Sequence, residues 1–457
     1  MTRVTLLVCL SLSAIPCFAG KPKEWDPFLD SLQRRTIQWF LDVTPRNTGL
    51  TPDRWPTPSP SSIAAVGFGL TVYPIAAERK IVSRREAVSR VLKTFRFLLQ
   101  RPQSADATAT AGHKGFFYHF VDLRDGTRAW NCELSTVDTG LLMMGVLFCQ
   151  TYFDKTNPDE AEVRTLADSL YRRVDWKWAM GNAPSIVMGW KPEEGFHTLT
   201  WYGYTEAQFL YVLALGSPTY PLPRSAYEHW LSSYKWARHY GYEYVQFAPL
   251  FGHQYTQCWL DMRGLQDAFM RTKNIDYFEN SKRATYSQWT YMKENPRQFR
   301  DYSETIWGLT ACDGPGDTSF VVDGVNRTFI GYGARGTSSV WTNDDGTITA
   351  TASAGSLPFA PEICILALKA MRGKYGDRLW TEYGYVDAFN PTFITPSTPH
   401  GWFDHDYLGI DQGPIVIMIE NLRNGFVWEV MKKNPYIVEG LKRAGFSGGW
   451  IDAAKNR

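Results

Sequence analysis

Apolar residues recur at helical spacing along most of the chain, and the helices they predict are of two kinds. Segments 26–43, 83–100, 158–178 and 225–239 carry one apolar and one polar face. Segments 60–80, 134–152 and 207–215 are apolar nearly all round. Further helical patterns fall at 264–272, 277–293, 302–309, 360–372 and 414–433. A helix apolar on every side is buried on every side, whereas a two-faced helix keeps one side wet. Alternation of the two kinds predicts an inner and an outer ring, hence an all-α fold of the (α/α)6-barrel type. No fixed-period repeat marks a solenoid.

Residues 313–357 break the pattern. They are rich in Gly, Asp, Thr and Ser, with short β-like runs at 319–322 and 347–351. This predicts a small Gly-rich β/loop insertion over one face of a single domain spanning 20–457. Ordered loops of that length often serve function.

Composition narrows the partners. The 457 residues carry a formal net charge of +2, and the cations are scattered, which points away from nucleic acid and from anionic membranes. Aromatic residues reach 15%, enough for a large aromatic core and also for sugar-stacking platforms. Residues 1–19 read as a secretory signal: Arg3, an apolar run over 4–16, and Cys17-Phe18-Ala19 as the cleavage site. A lipid-bearing Cys17 is disfavoured because Ile15-Pro16 precedes it. The expectation is an exported periplasmic or secreted monomer with no membrane span after signal removal. Five cysteines follow the signal, Cys132, Cys149, Cys258, Cys312 and Cys364, with no CxxC spacing. Zinc and haem are not indicated, no cofactor is expected, and buried free thiols are favoured over a disulfide.

Candidate chemistry lies at helix starts. In an α/α barrel the inner helices run the same way, so their N-termini gather at one mouth. Glu133 and Asp138 flank the start of the 134–152 helix. Glu206 opens the 207–215 helix after Trp201, Tyr202 and Tyr204. Asp261 precedes the 264–272 helix, and Asp411 precedes the 414–433 helix. Each carboxylate is also an ordinary helix cap, complementing free N–H groups and the helix dipole. Glycoside hydrolysis needs two carboxyls, one to protonate the leaving oxygen and one to act as base or nucleophile. A helix N-terminus favours the charged form, so an acid there needs burial, or a neighbouring carboxylate, to keep its proton. The loop holding His400, Trp402, Asp404 and His405 reads equally as a site rim or a structural turn. A metal on His400, Asp404 and His405 is disfavoured. Nucleotide loops, HExxH and G-x-S-x-G are lacking.

Five segments resemble glycoside hydrolase family 144, the bacterial β-1,2-glucanases with a glycoamylase-like domain. They are residues 61–74 (SSIAAVGFGLTVYP), 133–139 (ELSTVDT), 201–218 (WYGYTEAQFLYVLALGSP), 259–267 (WLDMRGLQD) and 407–414 (YLGIDQGP). The resemblance implies an (α/α)6 barrel that hydrolyses β-1,2-glucan with inversion. It implies Glu206 as general acid and Asp411 as general base, acting through a substrate hydroxyl. It implies Glu133 and Asp138 as groups that bind sugar or tune the acid. Trp201, Tyr202, Tyr204, Asp261, Arg263, His400, Trp402 and Asp404 complete the expected sugar contacts. The chain departs from the family at Ser217-Pro-Thr-Tyr220, where a His is usual in place of Tyr220. Endo cleavage is expected first and exo release of sophorose second. A polysaccharide lyase would reveal itself by an unsaturated product, and a glycan-binding protein by the lack of new reducing ends.

Overall fold

The computed structural model describes residues 25–453, so the secretory signal predicted at 1–19 lies outside the described residues. Six helices are almost wholly buried: Ile63–Glu78, Thr136–Tyr152, Gln208–Gly216, Phe251–Trp259, Ala350–Gly355 and Gly409–Asn424. Each contacts the next in chain order, and the last returns to the first, closing a cycle. Two-faced helices pack outside them, among them Pro27–Val43, Arg84–Gln100, Pro158–Arg172, Tyr277–Glu294 and Pro361–Tyr375. Among the described residues no helix is long and apolar enough to cross a membrane.

Small residues set the tightest contact in this cycle. A Cβ added to Gly67 would lie 2.3 Å from the Leu141 carbonyl oxygen, and one on Gly145 would lie 2.2 Å from the Gly67 carbonyl oxygen. The Ile63–Glu78 and Thr136–Tyr152 helices therefore meet backbone to backbone. Serines cap both: Ser62 accepts from Ala65 N–H and Ser135 from Asp138 N–H. The outer Arg84–Gln100 helix starts the same way, with Ser83 accepting from Glu86 N–H.

The approaches to the buried helices are laced together by short antiparallel ladders. Arg54–Trp55 pairs with Tyr407–Leu408, and Ser61–Ser62 pairs with Phe120–Val121. Leu134–Ser135 pairs with Gly189–Lys191, and Phe389–Asn390 with Trp402–Phe403. Gly409 N–H also donates to the Asp53 carbonyl, and Thr337 N–H to the Ala248 carbonyl. The N-terminal ends of these helices are thereby held as neighbours.

Several elements differ from the sequence reading. The buried Phe251–Trp259 helix was not predicted, because His253, Gln254, Thr256 and Gln257 disguise it. Their donors find partners inside: Gln254 donates to the Ala352 carbonyl (2.8 Å) and Gln257 to Ser281 Oγ (2.6 Å). The predicted 313–357 insertion swallows another buried helix, Ala350–Gly355. The β part ends earlier, with hairpin Thr318–Val322/Val325–Phe329 and ladders Ala311–Cys312/Gly333–Ala334 and Gly336–Thr337/Thr342–Asn343. No helix forms over 302–309. The 225–239 helix stops at Ser232, and Trp236–His239 becomes a strand paired with Tyr242–Val245. The 414–433 helix starts five residues earlier, at Gly409, and is broken at Gly425, whose φ of 69° is left-handed. All five described cysteines are free and buried.

Candidate active site

Glu206 sits in the turn before the Gln208–Gly216 helix. It is not a cap: Ala207 occupies the N-cap position and no side chain caps that helix. Thr256 of the adjacent buried helix fixes the turn, donating to the Glu206 carbonyl (3.2 Å) and accepting from Phe209 N–H (3.1 Å). Burial pushes the Glu206 carboxyl up to about 7; a bond to its own backbone N–H opposes the rise and the Asp138 charge adds to it. At this helix mouth, desolvation outweighs the pull of the free N–H groups.

Asp138 lies in the first turn of Thr136–Tyr152 and accepts a short hydrogen bond from Ser135 Oγ. His119 spans Asp138 and Glu133: Nδ1 is 2.8 Å from Glu133 Oε1, and Nε2 is 3.6 Å from Asp138 Oδ2. Burial alone would depress this imidazole, but the charges of Asp138 and Glu133 carry it up to about 9. Burial acts to raise Glu133, and the His119 bond more than reverses it, leaving Glu133 below its ordinary value. The ring is placed by its own backbone, which donates to Glu133 O and accepts from Ile63 N–H.

Asp411 is in the first turn of Gly409–Asn424 and caps nothing. It is 2% exposed, and its Oδ2 has no hydrogen-bond partner. Burial raises its carboxyl; the Asp387 carboxyl in hydrogen-bond reach opposes that, while Asp313 and Asp53 add to it. Asp387 is itself buried and raised well above the carboxylate range, by desolvation and by Asp411. Arg54 gathers this side of the mouth, with Nη1 2.6 Å from Asp313 Oδ2 and Nε 3.2 Å from Asp53 Oδ2. Tyr255, 5% exposed, lies between the two halves: burial first, then the fields of Asp411 and Glu206 among others, hold its phenol well above the usual range.

The structure thus brings Glu133, Asp138, Glu206 and Asp411 around one mouth. It treats the expected aromatics differently. Tyr202 is 62% exposed, whereas Trp201 is buried and donates to Thr136 Oγ1 (3.0 Å). Tyr204 is buried among Tyr234, Tyr277 and His253, so neither Trp201 nor Tyr204 offers a face to a sugar. Asp261 and Arg263 do not join the mouth. They follow the C-terminus of Phe251–Trp259, where Asp261 binds Arg263 (2.7 Å) and Lys432 (2.8 Å) and Arg263 lies over Trp428. The helix that Asp261 was expected to open starts only at Ala268, with Asp267 as its N-cap. His400 is exposed, and Trp402 is half-buried in its ladder. The trio His400, Asp404 and His405 does not assemble: His405 turns out to Thr57 (3.1 Å), and Asp404 lies instead with Asp313 and Asp387. One oxygen from each of those three aspartates falls within 4.8 Å of the others, the grouping among the described residues able to hold a metal.

Sequence reasoning missed His119, Asp53, Arg54, Asp313, Asp387 and Tyr255. None starts a predicted helix, and each arrives through a ladder or a helix that the pattern did not reveal. It also missed Tyr332, 57% exposed at the mouth of the insertion, and Trp130, 64% exposed against Phe120.

Comparison with known proteins agrees on one family. Residues 198–435 match the glycoamylase family, described as "Putative glucoamylase". A Bacteroides uniformis structure solved under that description is 30% identical, covering 94% of this chain and 100% of its own at a TM-score of 0.82. The chain belongs to the glycoamylase family. It is also similar to an endo-β-1,2-glucanase from Chitinophaga pinensis, solved with sophorotriose and glucose: 25% identity, 92% and 98% coverage, TM-score 0.79. A curated relative, an exo β-1,2-glucooligosaccharide sophorohydrolase from Parabacteroides distasonis, is 26% identical over 92% of this chain. The chain spans 58% of that relative's length. The helix-rich fold is thus that of solved β-1,2-glucanases.

Proposed function

We propose that this protein is a glycoside hydrolase that cleaves β-1,2-glucan or its oligosaccharides with inversion, Glu206 acting as general acid and Asp411 as general base. The observation that carries this reading is the position of Glu206, freed from any capping duty in the turn before a buried helix and sharing one mouth with Asp138 and Asp411, where burial raises its carboxyl to about 7. An acid with a value near working pH both holds a proton and releases it readily. Asp411 has a separate electrostatic neighbourhood, dominated by Asp387, Asp313, Asp53 and Arg54, while the charge acting on Glu206 is that of Asp138. Inversion needs the two carboxyls far enough apart to admit a water on the far side of the sugar. Tyr202, Tyr332 and Trp130 are the exposed rings that would stack on glucose units. The cyclic packing of six buried helices supports an (α/α)6 barrel as the scaffold. No cofactor enters this chemistry, and residues 1–19 would export the protein as a monomer.

Endo cleavage is the first reading, because the endo-acting relative matches this chain over nearly its whole length whereas the exo-acting one is much longer. The second reading, exo release of sophorose, is favoured by the insertion, which brings Asp313 and Tyr332 against the Asp411 side. Incubation with linear β-1,2-glucan and chromatography of the products decides: a ladder means endo, a disaccharide alone means exo. An unchanged polymer with no new reducing ends would overturn the hydrolase reading.

A further inference from the structure

Arg335 is wholly buried in the insertion, and every nitrogen of its guanidinium has a partner. Nε donates to Asp345 Oδ1 (2.7 Å) and Nη2 to Asp345 Oδ2 (2.9 Å). Nη1 donates to the Cys312 carbonyl (2.8 Å), and Nη2 also to the carbonyls of Ile330 and Gly331 (2.9 Å each). Asp345 Oδ2 accepts in turn from Ile330 N–H (3.1 Å). The fit is close: a Cβ on Gly314 would lie 2.2 Å from both Arg335 Nη2 and the Ile330 carbonyl oxygen. A buried ion pair is costly, and apolar residues of the same volume would often stabilise as well or better. What a planar guanidinium adds is several hydrogen bonds at fixed directions, here to the carbonyls of one turn.

The turn so held carries Tyr332. On one side lie the clamped carbonyls of Ile330 and Gly331; on the other, Gly333 pairs with Cys312. With a glycine on each flank, Tyr332 has no adjacent side chain to brace it, so the clamp fixes its backbone. Its side chain is 57% exposed, yet its hydroxyl end is enclosed: burial first, then the charges of Asp411, Asp387 and Asp53, push the phenol well above the usual range. A ring open to solvent with an enclosed tip lines a concavity, not a convex surface. The strand paired with Gly333 runs on into Asp313, whose N–H donates to Asp387 Oδ2 (2.7 Å) and whose carboxylate accepts from Arg54 (2.6 Å). The insertion is thereby tied to the Asp411 side of the mouth.

We propose, resting on the hydrolase reading of the site, that Arg335 is a positioning residue: with Asp345 it sets the 330–335 turn as a fixed wall that presents the Tyr332 ring to the glucose unit beside Asp411. A loop that must be ordered on binding gives up affinity, whereas a wall already held does not. Tyr332 supplies the flat apolar face on which a sugar ring packs. Arg335 touches no sugar and acts through Tyr332.

The test is steady-state kinetics of the full-length protein on linear β-1,2-glucan. Tyr332→Ala, at an exposed position, should raise KM about tenfold while kcat stays within about threefold. Tyr332→Phe, which keeps the face, should recover most of that loss. Asp345→Asn, which loosens the clamp, should raise KM at least about threefold in the wild-type chain and add nothing in the Tyr332→Ala chain, because changes acting through one contact do not add. Gly314→Ala, which drives a methyl group against the guanidinium, is read in the same way should Asp345→Asn fail to fold. An Asp345→Asn effect that persists in full without the Tyr332 ring would reduce the clamp to a structural role and overturn the proposal. A wild-type KM in Tyr332→Ala, with the wild-type protein active, would overturn it and leave the hydrolase reading standing. A wild-type protein that leaves the glucan uncut would overturn both.

Discussion

Arg54 Nη1 lies 2.6 Å from Asp313 Oδ2, tying the insertion to the short strand that pairs with the approach to the Asp411 helix. One guanidinium thereby links the two β ladders that frame the acidic side of the mouth. Asp53, Asp313 and Asp411 all feel its charge.

Replacing Arg54 should therefore cost more than an ordinary surface ion pair. Arg54→Met would leave Asp313 and Asp53 uncompensated in a largely buried setting, a loss of about 2 kcal/mol by chemical denaturation. Activity should fall with it, and Arg54→Lys, which keeps charge but not the fork, should recover only part. A denaturation midpoint equal to wild type in Arg54→Met would show that the bridge is idle.

The two proposed reacting carboxyls have distinct signatures. Glu206→Gln and Asp411→Asn should each lower kcat by about 10² or more with little change in Tm. Near-normal turnover in either removes that residue from its role.

The pH dependence follows from Glu206. Its carboxyl, raised to about 7, must be protonated to act as an acid. As this acid loses its proton above pH 7, kcat/KM should fall about tenfold per unit. In Glu206→Gln the residual activity should lose that descending limb. A wild-type profile flat to pH 9 would sink the assignment.

His119 predicts a different pH effect, on stability. Its folded-state value of about 9 lies above the unfolded value of about 6.5, since Asp138 and Glu133 outweigh its burial. The stabilisation is fully present below about pH 6.5 and is lost as pH rises through about 9. Its size is at most roughly 2–3 kcal/mol. Unfolding free energy should drop over that window in wild type and less so in His119→Gln, measured by denaturant titration at several pH values.

Gly67 tests the scaffold. A methyl group there would meet the Leu141 carbonyl at 2.3 Å, backbone that cannot yield without separating two buried helices. Gly67→Ala should destabilise by about 2 kcal/mol or more, although alanine is the better helix former. A stabilised variant would contradict the close approach.

Much of this molecule was legible from one sequence. The all-apolar stretches that became Ile63–Glu78, Thr136–Tyr152 and Gln208–Gly216 announce burial by composition, because nothing polar remains to face water. Glu206 and Asp411 stand out because a carboxylate beside such a run is placed by the helix start itself. The Phe251–Trp259 helix escaped notice because its polar residues find partners only after neighbouring helices arrive, Ser281 and Ala352 among them. Asp261, expected just before the 264–272 helix, instead follows the end of Phe251–Trp259, and the next helix starts only at Ala268.

The sequence by itself determined the alternation of buried and two-faced helices, the family resemblance and the two carboxylates at helix mouths. These are local properties, written in periodicity and in adjacency along the chain. Tertiary structure alone decided which aromatics face solvent, that Asp387 and Asp313 gather beside Asp411, and that burial raises the Glu206 carboxyl. Each depends on desolvation and on charges contributed by residues far away in sequence. No local pattern encodes how much water a side chain retains once the ring of helices has closed.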